Sequence, residues 1–230
     1  MGDSLLTRSR LLPFLPYVLV GTAHLAALFV HAEPGSTWTK LLIMPALLLG
    51  LLLSLARTRD RPRLGELVLL GGLGILFSWA GDALLESPGD VGFLIGLGCF
   101  LLAHLAYLVL FLRPLRERRP PRIALLYLLW WLVLVLFLAP QIGPLLVPVA
   151  AYGLVLAASS GAALGSNRLA GAGALVFLCS DTILALKLFQ PGFAFWQIDF
   201  AIMLLYILGQ GLIAVAIAIP VRRFPTAPPR

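Results

Sequence analysis

The chain has 230 residues, 60% of them hydrophobic and only 12% charged, with a mean hydropathy of +1.00. Soluble domains carry about 25% charged residues because their surfaces face water, so this composition excludes a soluble globular enzyme and leaves most side chains facing lipid or one another. The net charge of +7 does not mark a nucleic-acid binder, because the arginines fall only between apolar runs and make no continuous aqueous face.

Crossing a hydrocarbon core about 30 Å thick takes about 20 apolar residues. Eight segments meet that requirement in chain order: 11–31, 39–56, 64–85, 91–112, 123–139, 143–160, 169–189 and 196–219. The connections are short, and a spanning segment must satisfy its backbone hydrogen bonds internally. The predicted fold class is therefore all-α, a polytopic membrane bundle of eight transmembrane helices forming one integral-membrane domain over residues 1–230. Arg8 and Arg10 ahead of the first apolar run have the pattern of a secretory signal. The run is of spanning length and the same pattern recurs along the chain, so it is read as the first span.

Arginine placement sets the expected orientation, since cytoplasmic loops of bacterial membrane proteins retain Lys and Arg. Arg8 and Arg10 precede the first segment. Arg57, Arg59, Arg61 and Arg63 follow the second, and Arg113, Arg116, Arg118, Arg119 and Arg122 follow the fourth. Arg168 follows the sixth, and Arg222, Arg223 and Arg230 lie in the tail, while the opposite loops carry Glu33, Glu86 and Asp90 and no arginine. The expected location is the inner cell membrane, multi-pass, with both termini cytoplasmic.

Gly92 with Gly96, Gly161 with Gly165, and the cluster Gly71, Gly72 and Gly74 place small residues where helix backbones approach closely in lipid. Pro45, Pro144 and Pro148 are expected to loosen or kink their helices. Cys99 and Cys179 lie inside apolar runs and are read as small buried hydrophobes rather than a disulfide or metal pair. The two halves also share a pattern: Gly81-Asp82-x-x-Leu85 matches Ser180-Asp181-x-x-Leu184, and each Asp is followed 25 residues later by a tyrosine, Tyr107 or Tyr206. That spacing predicts a parallel 4+4 helix repeat with the functional site near the repeat interface.

An ionisable side chain inside a span costs about 2.5–3.5 kcal/mol on insertion scales, so each one needs a reason to be there. Well inside apolar sequence lie Asp82, Asp181, Lys187, His104 and His24, joined by Ser78, Ser180, Gln210, Tyr107 and Tyr206. Lys40, Glu66 and Asp199 sit near segment ends. Glu66 is expected to reach the arginines nearby, Asp199 to be a segment-end residue, and His24 to make a helix–helix hydrogen bond. Lys40 and Lys187 fit either the lipid headgroups or a pairing with an aspartate. Asp82 and Asp181 lie about 9 Å and about 15 Å below the outer ends of their segments, and one methylene is too short to bring a carboxylate to the surface from there.

Two carboxylates in a water-accessible, desolvated site divide their work, one neutral and able to donate a proton, the other ionised and able to accept one. That pair suits hydrolysis through an oxocarbenium-like intermediate, and it equally suits a small proton-coupled transporter or lipid carrier. Zinc chemistry needs three or four N, O or S ligands, and the helices that carry the candidate site supply one deep histidine, His104, so no metal is expected. No Gly-x-Ser-x-Gly elbow is present, and Ser180 has no histidine near it in sequence.

Lys40 with Pro45, FSWAGDALL at 77–85, FLLAHLAYLVLF at 100–111, LVFLCSDTILA at 175–185 and LYILGQGLI at 205–213 together resemble the YhhN family of lysoplasmalogenases. The resemblance covers five of the eight segments and matches the family's eight-span architecture. It implies an integral-membrane hydrolase that cleaves the vinyl-ether bond of lysoplasmalogens to a fatty aldehyde and a glycerophospho-alcohol, with water as the only cosubstrate and no cofactor. The partners it implies are a lysophospholipid, water and the bilayer, with no nucleic acid. Asp82 and Asp181 are the expected catalytic pair, without assignment of acid and base. Lys40, Ser78, His104, Tyr107, Ser180, Lys187, Tyr206 and Gln210 are expected to bind substrate or orient the carboxylates. His104 and Tyr107 fit least well, since they fall about 24 Å and about 29 Å from the outer end of their segment. The transporter remains the alternative.

Overall fold

A computed structural model describes residues 11–32, 35–58, 61–85 and 89–219, without the side chain of Asp90. Arg8, Arg10, Glu33, Arg59, Glu86, Arg222, Arg223 and Arg230, which enter the orientation argument, lie outside the described residues, as do both termini. Within them the chain is helical: a 3-10 turn at Leu12–Phe14 leads into α1 (Leu15–Phe29), followed by α2 (Gly35–Ala56), α3 (Leu64–Leu85), α4 (Asp90–Leu112), α5 (Leu125–Ile142), α6 (Leu146–Ala163), α7 (Arg168–Phe189) and α8 (Ile198–Ala218). Among the described residues, seven helical stretches are long and apolar enough to cross a membrane.

One of those stretches, Arg122–Ala163, is 42 residues long and contains both α5 and α6. A single straight helix of that length would reach about 63 Å, far beyond any bilayer. Instead it folds back on itself at Gly143, whose φ of 62° suits glycine, and at Pro144 in a 3-10 turn. Trp131 Nε1 donates to the Ala150 carbonyl at 2.9 Å across the hairpin.

α2 begins at Gly35, four residues before the predicted start at 39. Its polar first turns are tolerated because Thr39 Oγ1 donates back to the Gly35 carbonyl at 2.8 Å. Pro45 sits inside α2 and has no N–H to give the carbonyl of Leu41. Trp79 Nε1 on α3 supplies the missing donor at 2.9 Å, so the proline ties α2 to α3.

The helices pack as a ring in the order α1, α2, α3, α4, α6, α7, with α8 set against α7, α1, α2 and α3 and α5 outside α6. α8 is buried along its length from Ile202 to Ala218, whereas α5 buries only Leu138 and Ile142. Small residues make the closest crossings. A Cβ at Gly81 would come within 3.1 Å of the Gly96 carbonyl oxygen, and one at Gly173 within 2.9 Å of the Gly209 carbonyl oxygen. Gly74 leaves the space that the Tyr107 ring fills, and Gly161 lies against the Ala124 backbone. The cysteines depart from expectation: Cys99 is half-buried and Cys179 exposed, both free, because each falls on an outward face of its helix.

The described arginines gather at one end. Glu117 and Arg118 backbone amides both donate to the Gly165 carbonyl, at 3.0 and 2.9 Å, joining the α4–α5 and α6–α7 loops. Arg61 donates to the Ile217 and Ile219 carbonyls, and Asn167 Nδ2 to that of Ala216 at 3.0 Å, satisfying the last turn of α8. Asn167 also caps α7 by accepting from the Ala170 amide at 2.9 Å. Glu66 pairs with Arg63 at 3.8 Å on this arginine end, as its position suggested.

Candidate active site

At the opposite end of the bundle the ring opens into a cavity of about 680 Å³. Asp82 on α3 and Asp181 on α7 both line it, with Lys40, Ser180, Lys187 and Tyr206. Six of the ten residues singled out in the sequence thus meet in one space, although they come from four helices far apart in the chain.

Each carboxylate is held by a tyrosine. Tyr206 Oη donates to Asp82 Oδ2 at 2.7 Å, and Tyr152 Oη donates to Asp181 Oδ2. Three of the four remaining residues, Ser78, Tyr107 and Gln210, lie below the floor. Gln210, one turn beyond Tyr206 on α8, donates through Nε2 to Ser78 Oγ at 3.0 Å, one turn below Asp82 on α3. Tyr107 of α4 donates to Gln210 Oε1 at 2.7 Å. Two antiparallel helices therefore carry two polar rungs, Asp82 with Tyr206 and Ser78 with Gln210, closed off by Tyr107. These three deeper groups are buried where an unpaired polar group would be costly.

His104 takes part in neither rung. Its Nδ1 lies 3.0 Å from Ser159 Oγ, whose own proton goes to the Leu156 carbonyl, so Nδ1 is the donor. Its Nε2 is buried without a hydrogen-bond partner among the described residues. The ring instead completes an aromatic cycle, Phe100–Tyr152–His104–Phe177–Tyr206 and back to Phe100, all edge-on, with centroid separations between 4.7 and 6.4 Å. This cycle forms the floor and fixes the spacing of the two tyrosines that hold the carboxylates.

Polar groups also mark the mouth. Lys187 forms an ion pair with Asp199 of α8, and both line the cavity with Lys40. Ser180 donates to the Ile202 carbonyl at 2.8 Å, joining α7 to α8 beside Asp181. His24 donates through Nδ1 to the Ser36 carbonyl at 3.1 Å, the helix–helix bond expected of it, and it lines the cavity as well.

Tyr152 is the partner that the sequence reading missed. The repeated spacing drew attention to Tyr107 and Tyr206 as an equivalent pair, yet Tyr206 reaches Asp82 in the other half while Tyr107 goes to Gln210. A signal was present: a tyrosine deep in an apolar run needs an acceptor for its hydroxyl, and Asp181 needed a donor.

Fold and site together define a multi-pass helical membrane protein with an amphipathic cavity that two tyrosine-bound carboxylates line. Residues 35–217 match the YhhN family, and the chain belongs to that family. It is similar to the lysoplasmalogenase TMEM86B of Rattus norvegicus, 39% identical over 109 residues, a stretch that takes in 47% of this chain and 45% of the rat protein. The matched stretch thus spans about half the length of that relative. No solved structure matches the chain.

Proposed function

We propose that the protein is an integral-membrane hydrolase that cleaves the vinyl-ether bond of lysoplasmalogens, with Asp82 and Asp181 as its acid–base pair. The observation that carries this reading is the placing of both carboxylates in one cavity, each with an oxygen fixed by a tyrosine hydroxyl. The lysoplasmalogenase relative and the family membership support it. In the same reading α5 and α6 each cross the membrane, giving eight spans in one domain with a 4+4 relationship between halves. The arginine end and both termini then face the cytoplasm of the inner membrane.

The chemistry follows from the alkene. A neutral carboxyl donates its proton to the β-carbon of the vinyl ether, and the C=C electron pair forms the new C–H bond. The positive charge is left shared between the α-carbon and the ether oxygen. The ionised partner stabilises that cation and takes a proton from water as the water oxygen bonds to the α-carbon, giving a hemiacetal. The hemiacetal hydroxyl then returns its proton to the first carboxylate, the C–O bond breaks, and the second carboxyl protonates the departing glycerol oxygen. One water is consumed, an aldehyde and an alcohol are released, and both carboxyl groups are reset.

The test is aldehyde release from lysoplasmenylethanolamine by purified protein in detergent, beside Asp82→Asn and Asp181→Asn. Release by the wild type and loss in both variants is expected. Full activity in both variants would overturn the assignment of the pair, and uptake by sealed vesicles with no hydrolysis would favour the carrier.

A further inference from the structure

The cavity lining is divided by helix. α2 contributes only polar groups, Ser36, Thr37 and Lys40, whereas α4, on the other flank of α3, contributes only Phe93, Leu97 and Phe100. The charged wall reaches α8 only at Asp199, since Ile198, Ile202 and Met203 of that helix also line the cavity, and the apolar wall continues through Val149 of α6. On α7 the change occurs within one helix. Lys187 turns to Asp199 and belongs to the charged wall. Asp181, Leu184, Ala185 and Leu188 also line the cavity at the spacing of a single helix face. Above Asp181, Leu184, Ala185 and Leu188 form an apolar strip beside Lys187 that rises about 10 Å to the rim. The two walls therefore meet over the carboxylates.

A molecule that satisfies both walls at once has a charged end and one hydrocarbon end, with its junction at the carboxylates. We propose that the cavity seats a single-chain phospholipid in one orientation, its head against Lys40 of α2 and the Lys187–Asp199 pair and its chain along α4, α6 and the apolar strip of α7, and that Leu184 and Val149 set the chain length accepted. The inference rests on the lipid-hydrolase reading for the nature of the junction, while the two walls themselves specify the direction. Leu184 and Val149 come from different helices of the apolar wall, so each gauges the chain independently of the other.

The test uses 1-O-alkyl lysophosphatidylethanolamines, saturated ethers without the alkene that protonation requires, with four-carbon and sixteen-carbon chains. Kd is measured with radiolabelled lipid on the purified full chain. Filling a packed wall costs enough that Leu184→Trp is expected to weaken the sixteen-carbon lipid about tenfold and the four-carbon lipid by less than about twofold. Val149→Trp is expected to do the same from the neighbouring helix, which keeps the test open if one variant fails to fold. Lys40→Gln is expected to weaken both lipids by the same factor. An unchanged chain-length ratio in both Trp variants, a ratio altered by Lys40→Gln, or no binding of either lipid by the wild type would overturn the proposal. Because binding is read without turnover, a protein that shows this pattern yet releases no aldehyde from the vinyl-ether lipid would overturn the hydrolase reading and leave the seating in place.

Discussion

Asp82 and Asp181 share a cavity, but the walls behind them are built differently. Asp82 is 5% exposed and stands at the top of a polar ladder between α3 and α8, with Tyr206 beside it and Ser78, Gln210 and Tyr107 beneath. Asp181 is half-buried and receives its hydroxyl from Tyr152 on α6, a helix whose cavity end packs loosely and whose buried residues lie from Leu156 onward. One carboxylate is buried with its tyrosine directly above a second polar rung. The other faces the cavity on a single tether. Under the proposed reaction, the acid–base pair thereby joins a buried group to a more open one.

Substituting the carboxylates tests the comparison most severely. Asp82→Asn and Asp181→Asn are each expected to lower aldehyde release by about a hundredfold or more, the scale of lost general acid–base catalysis, and a large residual rate in one alone would make the pair unequal in chemistry as well as in setting. The tethers come next. Tyr206→Phe and Tyr152→Phe should each reduce kcat by about ten- to hundredfold, since a hydrogen bond to a charged group contributes about 1.5–3 kcal/mol. Only Tyr206→Phe should also lower Tm, because water from the cavity can replace the Tyr152 hydroxyl. Equal loss of Tm in both would remove the distinction.

Below the floor, Gln210→Leu removes the partner shared by the Tyr107 and Ser78 hydroxyls and is expected to cost about 1–3 kcal/mol of stability, read as a fall in Tm in detergent. At the mouth, Lys40→Gln and Lys187→Gln should raise KM more than they lower kcat, as expected of groups that hold the headgroup in ground and transition state alike. The smallest effect is expected at Trp79→Phe, about 1 kcal/mol in thermal unfolding, from loss of the donor to the carbonyl that Pro45 leaves free.

Several parts of this picture were legible in the chain itself. Lipid admits only long apolar helices, so hydropathy located the helical segments to within a few residues, except at α2, where a polar first turn hid the start. Ionisable groups are expensive in a span, so Asp82, Asp181 and Lys187 drew attention by their presence. Tyrosine carries no such cost and is ordinary in membrane helices, so Tyr152 passed unremarked. Asp199 is the segment-end residue it looked like, in the first turn of α8, and only the fold shows its ion pair with Lys187 of α7. The matched Asp-to-Tyr spacing suggested equivalent roles for Tyr107 and Tyr206, and packing gave them different ones.

The sequence by itself determined that this is a multi-pass helical membrane protein, which residues in it are costly enough to need a purpose, and through its motifs which family it belongs to. These follow from composition, periodicity and the solvation cost of charge, which are properties of segments taken one at a time. Tertiary structure alone decided which tyrosine serves which aspartate, which polar residues line the cavity and which lie beneath it, and that one wall is charged and the other apolar. Those relations depend on how seven helices rotate and cross around a shared space, and no single segment encodes that arrangement.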